Sequence, residues 1–444
     1  MFRRILIANR GEVVKRVLDT TRRLGIEAVV VVSEADRDAP YTQLADEVVC
    51  LGPAPSAKSY LRREAVIQAA IQTGATAIHP GWGFLSEDPL FVDLCSQHGL
   101  SFIGPSAHVM RLMGRKLGAK QAARAAGLDV IPGSPGLLSS VEEARVIAEE
   151  VGYPVILKAD AGGGGRGMRF CHEPAGLEDA FNMASAEAQA AFGNGDLYLE
   201  RYLTGGRHIE VQVLGDAFGN AIHLGERECS IQRNHQKLLE ESPSPALSPE
   251  AARAAGERSA KAAAAIGYRG AGTIEYLLDD AGVLRFMEMN ARLQVEHPVS
   301  ELRTGVDLVE QQLRVAANQP LSITQDEIEF KGHAIEVRLN AEDPSEGFRP
   351  SPGTLSALSW PEGIRVDTHV AEGYTVPPHY DSLIAKLIAH APDRAACIEK
   401  LQTALGQLKV DGVKTTAPLH LAVLQDASFK AGDYDTRAIP GWSE

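Results

Sequence analysis

Apolar positions along this chain follow two rhythms, and the tighter one comes first. Arg4-Ile-Leu-Ile-Ala8 is a short apolar run that reads as a buried strand, with Asn9-Arg-Gly11 as the turn after it. Val13, Val14, Val17, Leu18 and Leu24 then recur at helical spacing, and Ala28–Val32 reads as a second strand. The βαβ opening has the outline of a dinucleotide fold. Its turn, however, lacks the G-x-G-x-x-G pattern that lets a pyrophosphate approach the backbone. Ala75-Thr-Ala-Ile-His-Pro80 and Ser101-Phe-Ile-Gly104 read as further strands of the same sheet, with a boundary near 110–121.

Beyond that boundary strands predominate. Tyr153-Pro-Val-Ile-Leu-Lys158, Leu197-Tyr-Leu-Glu200 and His208-Ile-Glu-Val-Gln-Val213 read as strands, and Ala251–Ala265 as an alanine-rich helix. Thr273–Leu278 and Val283–Asn290 flank Asp279-Asp-Ala-Gly282, which predicts a hairpin with a four-residue loop. With Leu278 facing Val283, Glu275 faces Phe286 and Glu288 lies one step along on the same face, roughly 7–8 Å away. From there polar groups occupy every second position: Glu288, Asn290, Arg292, Gln294 and Glu296. An extended backbone sends all five to one side. Such a set can ligate a hard cation through oxygen, clamp a planar anion with a guanidinium and supply a base.

Three other segments bear on chemistry. Gly162-Gly-Gly-Gly-Arg-Gly167 follows a strand ending at Lys158 and leaves backbone N–H groups free to wrap phosphates, as a closing lid does. No Gly-Lys-Ser/Thr follows, so it is not a Walker A loop. Cys229–Lys237 crowds Gln232, His235 and Lys237 together, and taken alone it reads as an exposed polar loop. In His333-Ala-Ile-Glu-Val-Arg-Leu339, Ile335, Val337 and Leu339 face inward and leave Glu336 and Arg338 on the opposite face. On the first helix Asp19 and Arg23 are spaced for a solvated ion pair.

Composition narrows the class. The 444 residues suffice for two or three domains, and 44% apolar with 23% charged residues is ordinary for a globular enzyme. A net charge of −14 argues against nucleic acid or an anionic membrane as the main partner. No apolar run approaches the roughly 20 residues needed to span a bilayer, and the N-terminus lacks a secretory signal. Five scattered cysteines predict free thiols in a reducing cytoplasm, with neither a disulfide framework nor a zinc site.

Taken in order, Ile7-Ala-Asn-Arg-Gly-Glu12, His79-Pro-Gly-Trp-Gly-Phe-Leu-Ser-Glu87, Gly162–Met168, Glu288–Pro298, His333–Pro344 and Tyr380-Asp-Ser382 resemble the signatures of biotin carboxylase, a member of the ATP-grasp superfamily. The resemblance runs from about Arg4 to Thr436. It implies an α/β architecture, α+β overall. A Rossmann-like pre-ATP-grasp domain (1–113) precedes an ATP-grasp domain (114–330, lid about 131–203) and a C-terminal biotin carboxylase domain (331–444).

The implied reaction forms carboxyphosphate from ATP and bicarbonate and passes the carboxyl group to N1′ of biotin on a carrier protein. By likeness, Lys116 and Lys158 hold ATP phosphates, Gly163, Gly164 and Gly165 belong to the lid, and Glu200 with Leu203 lies along the adenine. His208, Gln232 and His235 line the nucleotide site. Glu275, Glu288 and Asn290 match metal positions for Mg2+ or Mn2+, with two ions expected. Lys237, Arg292, Gln294 and Val295 match the bicarbonate site, Glu296 the base, Arg338 the stabiliser of the biotin enolate, and Trp82 a position beside biotin. The resemblance also implies a homodimer, with the biotin carboxyl carrier protein and carboxyltransferase on other chains, because no Ala-Met-Lys-Met motif occurs here. Acetyl-CoA carboxylase is the expected parent. The alternatives are another acyl-CoA or pyruvate-type carboxylase, a different ATP-grasp ligase, and a non-catalytic nucleotide-binding regulator. The chain departs from many relatives at Asn234, where a second arginine is common, at Glu240-Glu-Ser-Pro-Ser-Pro245, and at Trp82, where Tyr is common.

Overall fold

The computed structural model describes residues 1–160 and 167–442. These form two compact units: Met1–Met110 with Arg207–Thr273 and Asn290–Glu444, and Arg111–Gly206 with Ile274–Met289.

The larger unit begins with the expected parallel sheet, in the order Glu47–Gly52, Glu27–Ser33, Arg4–Ile7, Ala77–His79, Ser101–Phe102. Its inner strands Glu27–Ser33 and Arg4–Ile7 are apolar on both faces because both faces are covered, whereas the edge strand Glu47–Gly52 is largely exposed. Ile5 and Ile7 pack with Val13, Val14 and Val17 of the helix Glu12–Leu24, while Leu6 and Ala8 pack with Ile67 and Phe91 on the other side. Asp19 and Arg23 do not pair with each other. Asp19 takes Lys15 one turn back, and Arg23 reaches Asp307 at 2.7 Å and Glu310 at 2.8 Å, because the helix packs beside Leu308–Ala316.

A second, mainly antiparallel sheet runs Gly270–Leu278 (its first four residues in this unit), Arg207–Gly215, Ala221–Arg233, Gln236–Ser242, His333–Asn340, Leu383–Ala391, Arg365–Thr368. Register sets Glu240 opposite Glu336, Arg338 opposite Lys386, and Lys386 opposite Asp367, so one face of four adjacent strands carries all five charged groups. Ile335 and Val337 turn the other way, as predicted, against the helix Arg394–Gln407. The polar face is nevertheless not a wet one. The helix His297–Thr304 lies across it, and Glu336 is completely buried.

Two local expectations are corrected here. Cys229–Lys237 is not a loop: Ala221–Arg233 and Gln236–Ser242 are joined by the two-residue turn Asn234-His235. Both turn residues take positive φ (49° and 66°), the hairpin geometry that favours Asn at its first position. The departure at Asn234 therefore suits its backbone. The extended reading of Glu288–Glu296 also fails beyond Asn290, where the strand ends. Pro298 opens the helix His297–Thr304, and Glu296 sits at φ −80°, ψ 7° just before it. Parity therefore does not place the five polar groups together.

In the smaller unit, Met168–Cys171, Val155–Ala159 and Leu197–Arg201 form an antiparallel sheet covered by helices Val141–Val151 and Leu177–Phe192. The predicted hairpin is present, but its turn closes one residue further on. Asp279 N–H donates to Val283 O (3.0 Å), and Gly282 at φ 75° forms the bulge that shifts Leu278 away from Val283. Among the described residues, no helix is long and apolar enough to cross a membrane.

Candidate active site

Glu296 is the centre of the site in the larger unit. It is 2% exposed, and its two oxygens are divided between two cations. Lys237 Nζ donates to Oε1 at 2.6 Å and Arg338 Nη2 to Oε2 at 2.9 Å. Lys237 also donates to Glu210 Oε2 (2.5 Å), whose Oε1 accepts from Arg227 Nε (2.5 Å). Arg227 is fully buried and reaches Gln294 Oε1 at 2.9 Å, so the turn carrying Gln294 and Glu296 is tied to the sheet beneath it. Arg338 Nε donates to Glu240 Oε1 at 2.7 Å.

Burial alone would raise both buried acids, and their neighbours sort them. Glu296 ends well below the ordinary carboxylate range because Lys237, Arg338 and Arg227 outweigh its desolvation. Glu240 is pushed up to about 7, by burial first and by Glu296 against the pull of Arg338. Glu336 is also raised well above the ordinary carboxylate range, again chiefly by burial, and among the described residues neither of its oxygens has a hydrogen-bond partner. One anionic carboxylate thus sits beside two carboxyls biased toward the neutral form.

Around this centre, Arg292 donates through Nε to Glu87 Oε2 (3.0 Å) and through Nη2 to Asn290 Oδ1 (3.1 Å). The carbonyl of Val295 accepts from Lys386 Nζ at 2.9 Å. Trp82 is half-buried on the loop after Ala77–His79, where Asn9 Nδ2 donates to Pro80 O and Trp82 O at 2.6 and 2.8 Å. Gly81 is needed there: its φ is 64°, and a Cβ would come within 2.7 Å of Asn9 Nδ2. His208 is buried, its backbone N–H held by Ser230 Oγ at 2.9 Å. Gln232 lies directly across from Lys237, and His235 stands exposed at the hairpin tip.

The smaller unit gathers a second cluster. Glu200, 6% exposed, accepts from Lys120 Nζ (2.9 Å) and Lys158 Nζ (2.6 Å), and these two lysines hold it below its ordinary range against the larger effect of burial. Lys116, at the start of helix Lys116–Ala125, is lowered by burial and by Lys158, with Glu288 and Glu200 opposing. Lys116, Lys158, Glu200 and Glu288 are therefore electrostatic neighbours, although Glu200 is engaged by lysines more directly than a wall of an adenine pocket need be. Glu275 is buried, Glu288 exposed, and Leu203 half-buried after the strand Leu197–Arg201. Gly163, Gly164 and Gly165 lie outside the described residues. Clustered ammonium groups beside carboxylates suit a polyphosphate bound with a hard cation.

Residues 1–110 match "Biotin carboxylase, N-terminal domain", 115–324 match "Carbamoyl-phosphate synthase L chain, ATP binding domain", and 336–441 match "Biotin carboxylase C-terminal domain". Biotin carboxylase of Haemophilus influenzae is 52% identical over 435 residues, 97% of each chain. The chain belongs to the biotin carboxylase family. A biotin carboxylase from Campylobacter jejuni, solved as a "beta-gamma-ATP Complex", superposes with a TM-score of 0.93 at 49% identity, covering 98% of both chains. The biotin carboxylase domain dimer of Hydrogenobacter thermophilus 2-oxoglutarate carboxylase, solved with MgADP, ADP and bicarbonate, gives 0.92 at 48% identity over 98% of this chain and 97% of that one.

Several charged residues of this candidate site escaped the sequence reading. Glu210 was visible as one of the polar positions of His208–Val213 and Glu240 only as the start of the Glu240–Pro245 motif segment, while Arg227 and Lys386 carried no local signal. Each is a buried charge whose role depends on partners 15 or more positions away, as with Arg227 and Gln212.

Proposed function

We propose that the chain uses ATP and bicarbonate to carboxylate biotin, and that Glu296 is the base. The observation that carries this is the division of Glu296 between Lys237 and Arg338. A carboxylate pinned by two cations is a weak base. An anion that draws Lys237 away relieves one pairing and raises the basicity of Glu296 where the proton must be taken. Arg292, with its planar fork, suits bicarbonate, as do Lys237 and the Gln294–Val295 turn beside it. Arg338, 16% exposed along its side chain, then meets the ureido oxygen of biotin as charge develops there, with Trp82 as the adjacent wall.

In the smaller unit Lys116 and Lys158 would steady the phosphates, with Glu200 and Leu203 on the nucleotide side. We assign His208, Gln232 and His235 to the nucleotide by their match to the family motif. By their match to the family motif we assign Glu275, Glu288 and Asn290 to Mg2+ or Mn2+: each offers an oxygen donor of the kind such a cation takes, and the ion would neutralise phosphate charge when bound. The domain limits we assign are 1–113, 114–330 and 331–444. The biotin is carried on a separate carrier protein, and acetyl-CoA carboxylase is the favoured parent. A 2-oxoglutarate carboxylase among the matched structures keeps other carboxylases as the second reading. We further assign a homodimer, which light scattering at micromolar concentration checks.

The test is bicarbonate-dependent ATP cleavage measured with and without free biotin. Biotin should stimulate turnover and become carboxylated. ATP cleavage indifferent to both bicarbonate and biotin would overturn the reading in favour of a nucleotide-binding regulator.

A further inference from the structure

Lys386 is completely buried in the strand Leu383–Ala391 and has no evident place in the reaction just described. Its ammonium donates to the carbonyl of Val295 at 2.9 Å, pairs with Glu12 Oε2 at 3.0 Å and faces Asp367 Oδ2 at 3.7 Å. Glu12 is itself 2% exposed, and its other oxygen, Oε1, accepts from Trp82 Nε1 at 2.8 Å. A continuous path of buried polar contacts thus leads from the indole of Trp82 through Glu12 and Lys386 to the backbone of Val295.

We propose that Glu12 and Lys386 are positioning residues that couple the biotin side of the site, at Trp82, to the bicarbonate side, at the Val295 carbonyl. This rests on the assignment of Trp82 to biotin and Val295 to bicarbonate made above.

Each link has a physical reason to be where it is. An indole N–H is a donor only, so Trp82 needs an acceptor, and Glu12 provides it. Glu12 opens the helix Glu12–Leu24, where the helix dipole favours a negative charge. Lys386 is held from several sides. Asp367 is fixed by both arms of Arg365 at 2.7 and 2.8 Å, and Glu336 and Arg338 flank Lys386 from the neighbouring strand. The Val295 carbonyl lies between Gln294, anchored by Arg227, and Glu296, anchored by Lys237, so displacing it would disturb both.

A buried ion pair is a poor device for stability alone, since well-packed apolar residues do as well or better. Here the ammonium does what an apolar side chain cannot: it holds a backbone oxygen in place. A biotin that displaces Trp82 would pull on Glu12 and change how firmly Lys386 holds Val295. In this chain Trp replaces the common Tyr, and the indole N–H provides the first link.

The test is steady-state kinetics of the full-length protein, varying bicarbonate at saturating ATP, with and without free biotin. Lys386→Met should raise the KM for bicarbonate roughly tenfold, the value of one charge-assisted hydrogen bond, while kcat at saturating bicarbonate changes much less. Trp82→Phe keeps an aromatic side chain, smaller than the indole, and removes the N–H. It should also raise the bicarbonate KM, and the double variant should be no worse than Lys386→Met alone. Glu12→Gln keeps an acceptor for the indole but sets an amide against the ammonium. It should reproduce the Lys386→Met effect, and it provides the measurement if Lys386→Met does not fold. An unchanged bicarbonate KM in a folded Lys386→Met or Glu12→Gln variant overturns the proposal, as do strictly additive effects of the Trp82 and Lys386 changes. Wild-type protein without biotin-stimulated turnover would instead overturn the proposed function, so the two failures are distinct.

Discussion

Replacing Arg338 by Gln removes one cation from a cluster of three buried acids, and the structure separates the consequences. Arg338 contributes Nε to Glu240 at 2.7 Å and Nη2 to Glu296 at 2.9 Å. Stripping the partner from a buried charge ordinarily costs about 3–5 kcal/mol of stability. Glu240 escapes most of that cost because its carboxyl already titrates at about 7 and takes up a proton when Arg338 is lost. Glu296 remains paired with Lys237 at 2.6 Å, and Lys237 with Glu210 at 2.5 Å, so the bicarbonate side keeps its frame. The catalytic loss should therefore fall on biotin. Removing one charge-assisted donor to a developing oxyanion costs about 3–4 kcal/mol, roughly a few hundredfold in rate. The assay follows biotin carboxylation from labelled bicarbonate beside ADP release without biotin. Carboxylation should drop a few hundredfold and biotin-independent ADP release no more than severalfold, with a near-normal melting temperature. Equal loss of both activities in a folded protein would refute the reasoning and place Arg338 with the phosphate or bicarbonate.

Glu288→Gln should depress nucleotide-dependent turnover at least roughly tenfold with the fold intact, and near-normal ATPase at saturating magnesium would remove Glu288 from the metal set. Glu241, buried and bonded to His333 (2.6 Å) and to both arms of Arg394 (2.7 and 2.9 Å), has its carboxyl lowered to about 2 as these partners outweigh its burial. Its contribution, on the order of 3 kcal/mol, is present above its ordinary pKa and lost as pH falls from there through about 2. Glu241→Gln should accordingly lower the melting temperature near pH 7 and flatten its decline toward pH 3, whereas parallel pH profiles would show the linkage to be absent. Asn234→Val should destabilise the hairpin by about 1 kcal/mol while Asn234→Gly is tolerated, because φ 49° suits only the latter, and thermal unfolding of the two variants checks the order.

Local chemistry settled much of this protein from its sequence. A continuous apolar run, helical spacing and period-2 alternation located Arg4–Ile7, Glu12–Leu24 and His333–Asn340 in turn, because the placing of apolar groups reports which faces an element buries, whatever it packs against. Long motifs carried the family, because they preserve residue types at fixed local spacing. Periodicity does not reveal what lies on the other face. Glu336 occupies the face predicted for it, but only the helix His297–Thr304 crossing that face makes it a buried carboxyl. The five polar groups from Glu288 to Glu296 were read as one strand face, and Pro298 turned the end of that run into a helix start. Glu296 reaches Lys237 and Arg338 through a turn, and the register pairing Glu240 with Glu336 and Arg338 with Lys386 assembles the rest of the cluster. These contacts join positions 42 to 98 residues apart. Such distances are closed by strand pairing and helix packing, so which charges neutralise one another, and which carboxyl holds a proton, is decided only in the folded chain.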